Sequence, residues 1–209
     1  VHDPPRVARE GPDGFVDLET ALESDVVSLH VPLTQAGGHP TRNLVDAAAL
    51  ERVPSGAVLL NAARGDVVDE RALIARLDEG APLATAIDTW AREPDISPEL
   101  LQRVDLATPH IAGHSLEGRL RGTAMVAEAA SAHFDVPLEW DWAADLPPGP
   151  TLPPVDDPVA AILEAHDPRN DDARLRTLLQ LAPSERPTAF DHVRAASPKR
   201  REFGFHAVP

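Results

Sequence analysis

"GAVLLNAARGDVVDERALIARLDEGAPLATAID" (residues 56–88) decides the fold. It opens on the apolar run "GAVLLNA" (56–62), short and free of charge, as a buried strand is. "DERALIARLDEG" then changes the period. Leu73, Ile74 and Leu77 make an apolar helical stripe, Asp69 precedes it as an N-cap, and Gly80 ends it. "LATAID" (83–88) returns to a short apolar run. Strand, helix and strand in this order predict a βαβ unit around a buried parallel sheet.

The alternation continues outward. "DVVSLH" (25–30) and "VDLATPH" (104–110) predict two further strands, and "LETALES" and "VDAAALERV" two further helices. "VHDPPR" at the start reads as the end of another strand running into a turn. After Ser115, an Ala-rich stretch to about Phe134 predicts one longer helix. The Pro-dense segment 138–157 can continue neither a helix nor a central strand and is expected to be extended. Beyond it, "PVAAILEAH" and "DDARLRTLLQL" predict two helices, and the alternation in "REFGFHAV" predicts a strand. A tail of this size has little core of its own and is expected to fold against another chain or domain.

Composition narrows the chemistry. The 209 residues carry a formal net charge of -15, with 34 acidic against 19 basic residues, so nothing offers a surface for tracking phosphate backbones, and nucleic acid is not an expected partner. There is no Cys, which removes disulfides, thiolate nucleophiles and Cys-based metal sites. No apolar run approaches the roughly 18 residues of a membrane span; neither a membrane span nor a secretory leader is expected, and the expected location is the cytoplasm.

In open parallel α/β sheets, ligands collect at the carboxyl ends of the strands. Four polar strand ends occur in succession: Asp3, the "NAARG" turn (Asn61 to Gly65), Asp88 and His110. Arg64 has the planar fork that suits a carboxylate, and Gly65 beside it is expected to let a ligand approach the backbone. The alternative for Arg64 is a surface pair with Asp66 or Asp69. His110 and His114 are spaced like a helical metal pair, but Pro109 and Gly113 oppose a helix there, and Ser115 with Glu117 reads as the start of the next one. No metal is expected. A His on a strand-end loop, with the loop acid Glu93 of "WAREPDISP" available to orient its ring, suits general acid–base work instead.

Taken together, "LLNAARGDVVDERALIARLDEG", "AIDTWAREP" and "TPHIAG" resemble the D-isomer-specific 2-hydroxyacid dehydrogenases, and the likeness extends from residue 1 to about 134. "HDPPR", "TPHIAGHSLEGRLRGT", "DPRNDDARLR" and "RREF" further resemble one subfamily with a C-terminal dimerisation domain. The resemblance implies an α/β fold: the C-terminal part of a Rossmann-type NAD-binding domain (1–114), a connecting helix (115–137) and a small α+β dimerisation domain (138–209). It implies NAD as cofactor, a small phosphorylated 2-hydroxy acid as substrate, and a homodimer. Arg64 would grip the substrate carboxylate, His110 would take the hydroxyl proton and Glu93 would orient His110 and stabilise its imidazolium. Asp3 would bind the adenosine ribose, and Val31, Ala62, Ala63, Arg64, Asp88 and Gly113 would fall along the cofactor. His114 stands where the subfamily usually has a Tyr that touches substrate.

The glycine-rich phosphate-binding turn expected immediately before Val1, and the substrate domain before that, are not in the sequence. The chain is therefore expected to be an N-terminally truncated piece, inactive alone. The competing readings are a phosphoglycerate- or glyoxylate-type relative, against which the C-terminal block argues, and a non-catalytic dimerising fragment.

Overall fold

The structure, a computed structural model, describes residues 1–149 and 157–205. Four parallel strands form one sheet in the order β1 (Val26–Leu29), β2 (Val58–Asn61), β3 (Ala84–Ile87) and β4 (Leu106–Ala107). Val27 pairs with Leu59, Leu59 with Thr85, and Ile87 with Ala107, so the carboxyl ends align along one edge. Helices α3 (Ala47–Arg52), α4 (Glu70–Asp78) and α5 (Pro98–Arg103) link successive strands. Each starts where a short polar side chain satisfies otherwise orphan amides: Asp46, Asp69 and Ser97 accept from Ala49, Ala72 and Leu100 respectively.

One face of the sheet is closed. Leu59 and Leu73 are fully buried, and Val27, Leu29 and Ile87 nearly so. The other face is more open than uninterrupted apolar runs suggest, because Val26 and Ser28 alternate outward on β1 and are exposed. The expected strand at "VHDPPR" does not form. Asp3 instead caps helix α1 (Pro4–Glu10), accepting from the Arg6 amide at 3.0 Å, and Pro at the first helical position favours that start.

The chain divides into two compact units. The first comprises Val1–His110 together with Asp171–Ala195. Leu175, Leu178 and Phe190, all fully buried, join its core. The Asp172 carboxylate accepts the Ala107 amide of β4 at 2.7 Å, and Arg176 donates to the carbonyls of Leu101 and Val104, each at 2.7 Å, satisfying groups that α5 leaves unpaired. The tail segment thus finds its core within this unit, and 138–209, expected as one domain, contributes to both units.

The second unit comprises Ile111–Asn170 and Ala196–Pro209. Its main element is α6 (Leu116–Phe134), capped by Ser115, which accepts the Gly118 amide at 2.9 Å. The start of α6 is locked: buried Glu117 pairs with Arg201 and accepts the Glu202 amide at 3.0 Å, while Ser115 donates to Glu202 at 2.8 Å. Met125, Val126 and Phe134, further along α6, are exposed. The strand predicted from "REFGFHAV" (201–208) is corrected for its described residues, 201–205. Phe203–Phe205 is a 3-10 turn, and the nearby pairing is a single bridge between Ser115 and Arg200, just before the stretch; 206–209 lie outside the described residues. Alternation alone makes no strand without a partner along its length.

Candidate active site

The site in the first unit is built from three consecutive strand ends. Beyond β2, Asn61 folds the chain back on itself: its side-chain oxygen accepts the Ala63 amide and its nitrogen donates to the Arg64 carbonyl, each at 3.1 Å. This turn leaves the Arg64 side chain exposed, donating to the Ala63 carbonyl at 2.6 Å and in no ion pair among the described residues. The alternative pairing with Asp66 or Asp69 is not formed; the nearest cation to Asp66 is Arg42, at 4.0 Å.

Gly65 has a different role from the one its sequence suggests. A Cβ there would lie 1.9 Å from the Trp90 carbonyl carbon and 2.1 Å from the Ala91 nitrogen. The space is filled by the peptide that follows β3, so the missing side chain serves loop packing and not ligand approach. Contact between these two loops fixes Arg64 relative to Glu93.

Beyond β3, Asp88 accepts the Thr108 hydroxyl at 2.6 Å, and its carbonyl accepts the His110 amide at 2.7 Å. Buried Trp90 donates its indole N–H to the Thr108 carbonyl at 3.0 Å. The β3 and β4 ends are thereby tied at three points. Between them Glu93 closes its own turn, one oxygen accepting the Trp90 amide at 2.8 Å and the other lying 2.8 Å from His110 Nδ1. His110 is held in the left-handed region at φ 55°, a conformation costly for a non-glycine residue and concentrated at functional sites.

The electrostatics give this pair a direction. Burial pushes the Glu93 carboxyl up, but the hydrogen bonds from His110 and from the Trp90 amide, with the charges of His110 and Arg194, outweigh it and hold Glu93 below its ordinary range. A carboxylate only accepts, so Nδ1 carries the proton and Nε2 presents its lone pair. The arrangement can take a proton at Nε2 while the carboxylate balances the new charge.

Asp3 and Val31 line a cleft of about 410 Å³ with Pro4, His30, Pro32 and Thr41. One oxygen of Asp3 caps α1; the carboxylate keeps acceptor capacity for ribose hydroxyls, and the walls are largely apolar. These features suit a ligand with an apolar body and hydroxyl groups. Of the other expected residues, Ala62 and Ala63 lie in the β2 turn. Gly113 and His114 belong to the second unit, in a turn where the His114 amide donates to the Ile111 carbonyl at 2.9 Å. A Cβ on Gly113 would meet no protein atom. Neither histidine of the 110/114 pair is helical, and no group of three or more His, Asp or Glu is arranged to hold a metal ion among the described residues.

Sequence reasoning missed Trp90 and Glu70. Trp90 stands directly after a strand end, a signal that was available; Glu70 reads as an ordinary first-turn helix acid.

A strand-end His–carboxylate couple and an exposed Arg at the carboxyl ends of one parallel sheet define an α/β domain whose ligand site lies at that edge. Residues 2–112 match the family model "D-isomer specific 2-hydroxyacid dehydrogenase, NAD binding domain", and the chain belongs to that family. Among curated proteins it is similar to erythronate-4-phosphate dehydrogenase of Marinobacter nauticus, with 44% identity over 96% of this chain and 55% of the relative. The same enzyme of Salinibacter ruber is 42% identical over 100% of this chain and 57% of the relative. That of Pseudomonas paraeruginosa is 46% identical over 97% and 56%. The chain spans little more than half the length of these relatives.

Proposed function

We propose that the chain is the proton-transfer part of an NAD-dependent enzyme that oxidises 4-phosphoerythronate to 2-oxo-3-hydroxy-4-phosphobutanoate, a step toward pyridoxal 5'-phosphate. The His110–Glu93 couple, 2.8 Å apart at adjoining strand ends, carries the reading. The identity to erythronate-4-phosphate dehydrogenases across nearly the whole chain supports the choice of substrate over a phosphoglycerate or glyoxylate type.

In this reading Arg64 binds the substrate carboxylate in a bidentate fork and turns C2 toward the cofactor. His110 Nε2 accepts the C2 hydroxyl proton while Glu93 holds the ring and offsets its positive charge. NAD supplies the acceptor for the hydride that leaves C2. Asp3 and Val31 hold the adenosine end, and Ala62, Ala63, Arg64 and Asp88 lie along the remainder. For Gly113 as a cofactor contact and His114 as a substrate contact, the support is the family likeness alone. The other hydrogen lost from the alcohol, the hydroxyl proton, goes to His110 Nε2, so the oxidation would balance with the cofactor bound.

The protein acts in the cytoplasm as a homodimer. Residues 1–114 serve the dinucleotide and 138–209 the association, with 115–137 between. Exposed Met125, Val126, Phe134, Val159 and Ile162 support an association surface. In the first unit, β1 is an edge strand of the described sheet, which supports pairing with a further strand there. The test is NAD reduction by the full-length protein with 4-phosphoerythronate, 3-phosphoglycerate and glycolate. We expect kcat/KM to favour the first by about 10²-fold or more. Preference for either competitor overturns the substrate. Arg64→Ala should chiefly raise the KM for the acid, and an effect confined to folding would remove Arg64 from the site.

A further inference from the structure

Glu70 is the first residue of α4, where an acid normally serves its own helix. That service is already supplied, because Asp69 accepts the amides of Arg71 and Ala72 at 3.0 and 3.2 Å. Glu70 reaches elsewhere: its Oε1 accepts the Ala91 amide at 3.0 Å, 21 residues along the chain. Ala91 is the residue after Trp90, whose own amide is held by Glu93. Successive amides of one turn are therefore gripped by two carboxylates, one from outside the turn and one from within it. The Trp90–Ala91 peptide is also the group against which Gly65 packs without a side chain. Arg92, the next residue, sits at φ 60°, so the turn has an unfavourable backbone conformation that its surroundings must maintain.

Glu70 occupies this position against its own preference. Burial, with Asp66 and Asp69 nearby, pushes its carboxyl above the ordinary range despite the Ala91 amide and Arg92. A half-buried acid with acidic neighbours is a poor choice for stability alone.

We propose that Glu70 is a positioning residue for the proton-transfer couple: by holding the Ala91 amide it fixes the turn that presents Glu93 to His110 Nδ1. The inference rests on the reading of His110 and Glu93 as that couple.

The test reads the hydrogen bond itself. In the 209-residue chain, the proton on His110 Nδ1 bonded to Glu93 should give a downfield NMR resonance, assigned by its loss in His110→Gln. Glu93→Gln should weaken or remove it; if it persists unchanged, the couple is misread whatever Glu70 does. Glu70→Ala should broaden the resonance through faster exchange, whereas Glu70→Gln, which keeps an acceptor oxygen, should retain it. A resonance unchanged in a folded Glu70→Ala overturns the proposal. If Glu70→Ala fails to fold, Glu70→Asp decides: one methylene shorter, it should broaden the resonance, and an unchanged signal overturns the proposal equally. In the full-length enzyme, Glu70→Ala should lower kcat by about tenfold or more with the KM for NAD within about twofold, and Glu70→Gln should restore kcat to within about threefold. A fall in kcat with no recovery in Glu70→Gln also counts against it.

Discussion

The two units use glycine and buried charge in opposite ways. In the first, Gly65 is pressed against the Trp90–Ala91 peptide and the acids Glu70 and Glu93 hold the amides of that same turn. In the second, Gly113 faces open space and the buried acid Glu117 is spent on locking the start of α6 to Arg201 and Glu202. Residues of one type thus set the loop that presents Glu93 to His110 in one region and hold a helix start together in the other. The difference lies in what their partners do.

The sharpest way to break this contrast is Gly65→Ala. The added methyl would have to displace backbone, so we expect a loss of more than about 4 kcal/mol in denaturant unfolding. Gly113→Ala should stay within about 0.5 kcal/mol. Equal effects would show that the two loops are not packed as described. Next in size, Glu117→Gln should cost about 3–5 kcal/mol, because it leaves Arg201 buried without its charge partner. A neutral result would demote that network to a surface pair.

A third test separates the two acids of the first unit by sign. Glu93 is held below its ordinary range, so its contribution to stability is intact above the unfolded value of about 4.3 and drains away as pH falls through the folded value. Glu70 is pushed above that range, so its contribution is intact below about 4.3 and is lost as pH rises through the folded value. The deficit of Glu93→Gln relative to the parent should therefore shrink on acidification from pH 6 toward 3.5, while Glu70→Gln should gain on the parent from pH 4 to 6. Parallel pH profiles would mean the two carboxylates share one environment. The smallest effect is expected on α6, where Met125→Gln with Val126→Glu should change unfolding by under about 0.5 kcal/mol yet weaken self-association in sedimentation.

Much of the first unit was legible in the sequence because its signals are local. Strands at Val58–Asn61 and Ala84–Ile87, the Asp69 cap and the Gly80 stop follow from neighbours a few residues apart. Arg64 and His110 stood out as polar residues at strand ends and Glu93 as a loop acid able to orient the histidine, although their roles came from a family likeness. What could not be read depends on distant partners. The purpose of Gly65 is set by a peptide 25 residues later, and Glu70 by the same peptide. The return of Leu175, Leu178 and Phe190 to the first core is likewise a long-range choice that a local pattern does not specify. The described part of "REFGFHAV", 201–205, forms no strand for the same reason, since alternation describes one side of a pairing only.

The central claim is that His110 moves the proton. The direct measurement is full-length His110→Asn, with kcat for 4-phosphoerythronate and the Kd for NAD determined on the same preparation. The account predicts a fall in kcat of about 10²–10⁴-fold with Kd changed by less than about twofold, because the imidazole acts in the transition state and does not anchor the cofactor. Normal turnover, or a loss of NAD binding that matches the loss of turnover, would contradict it.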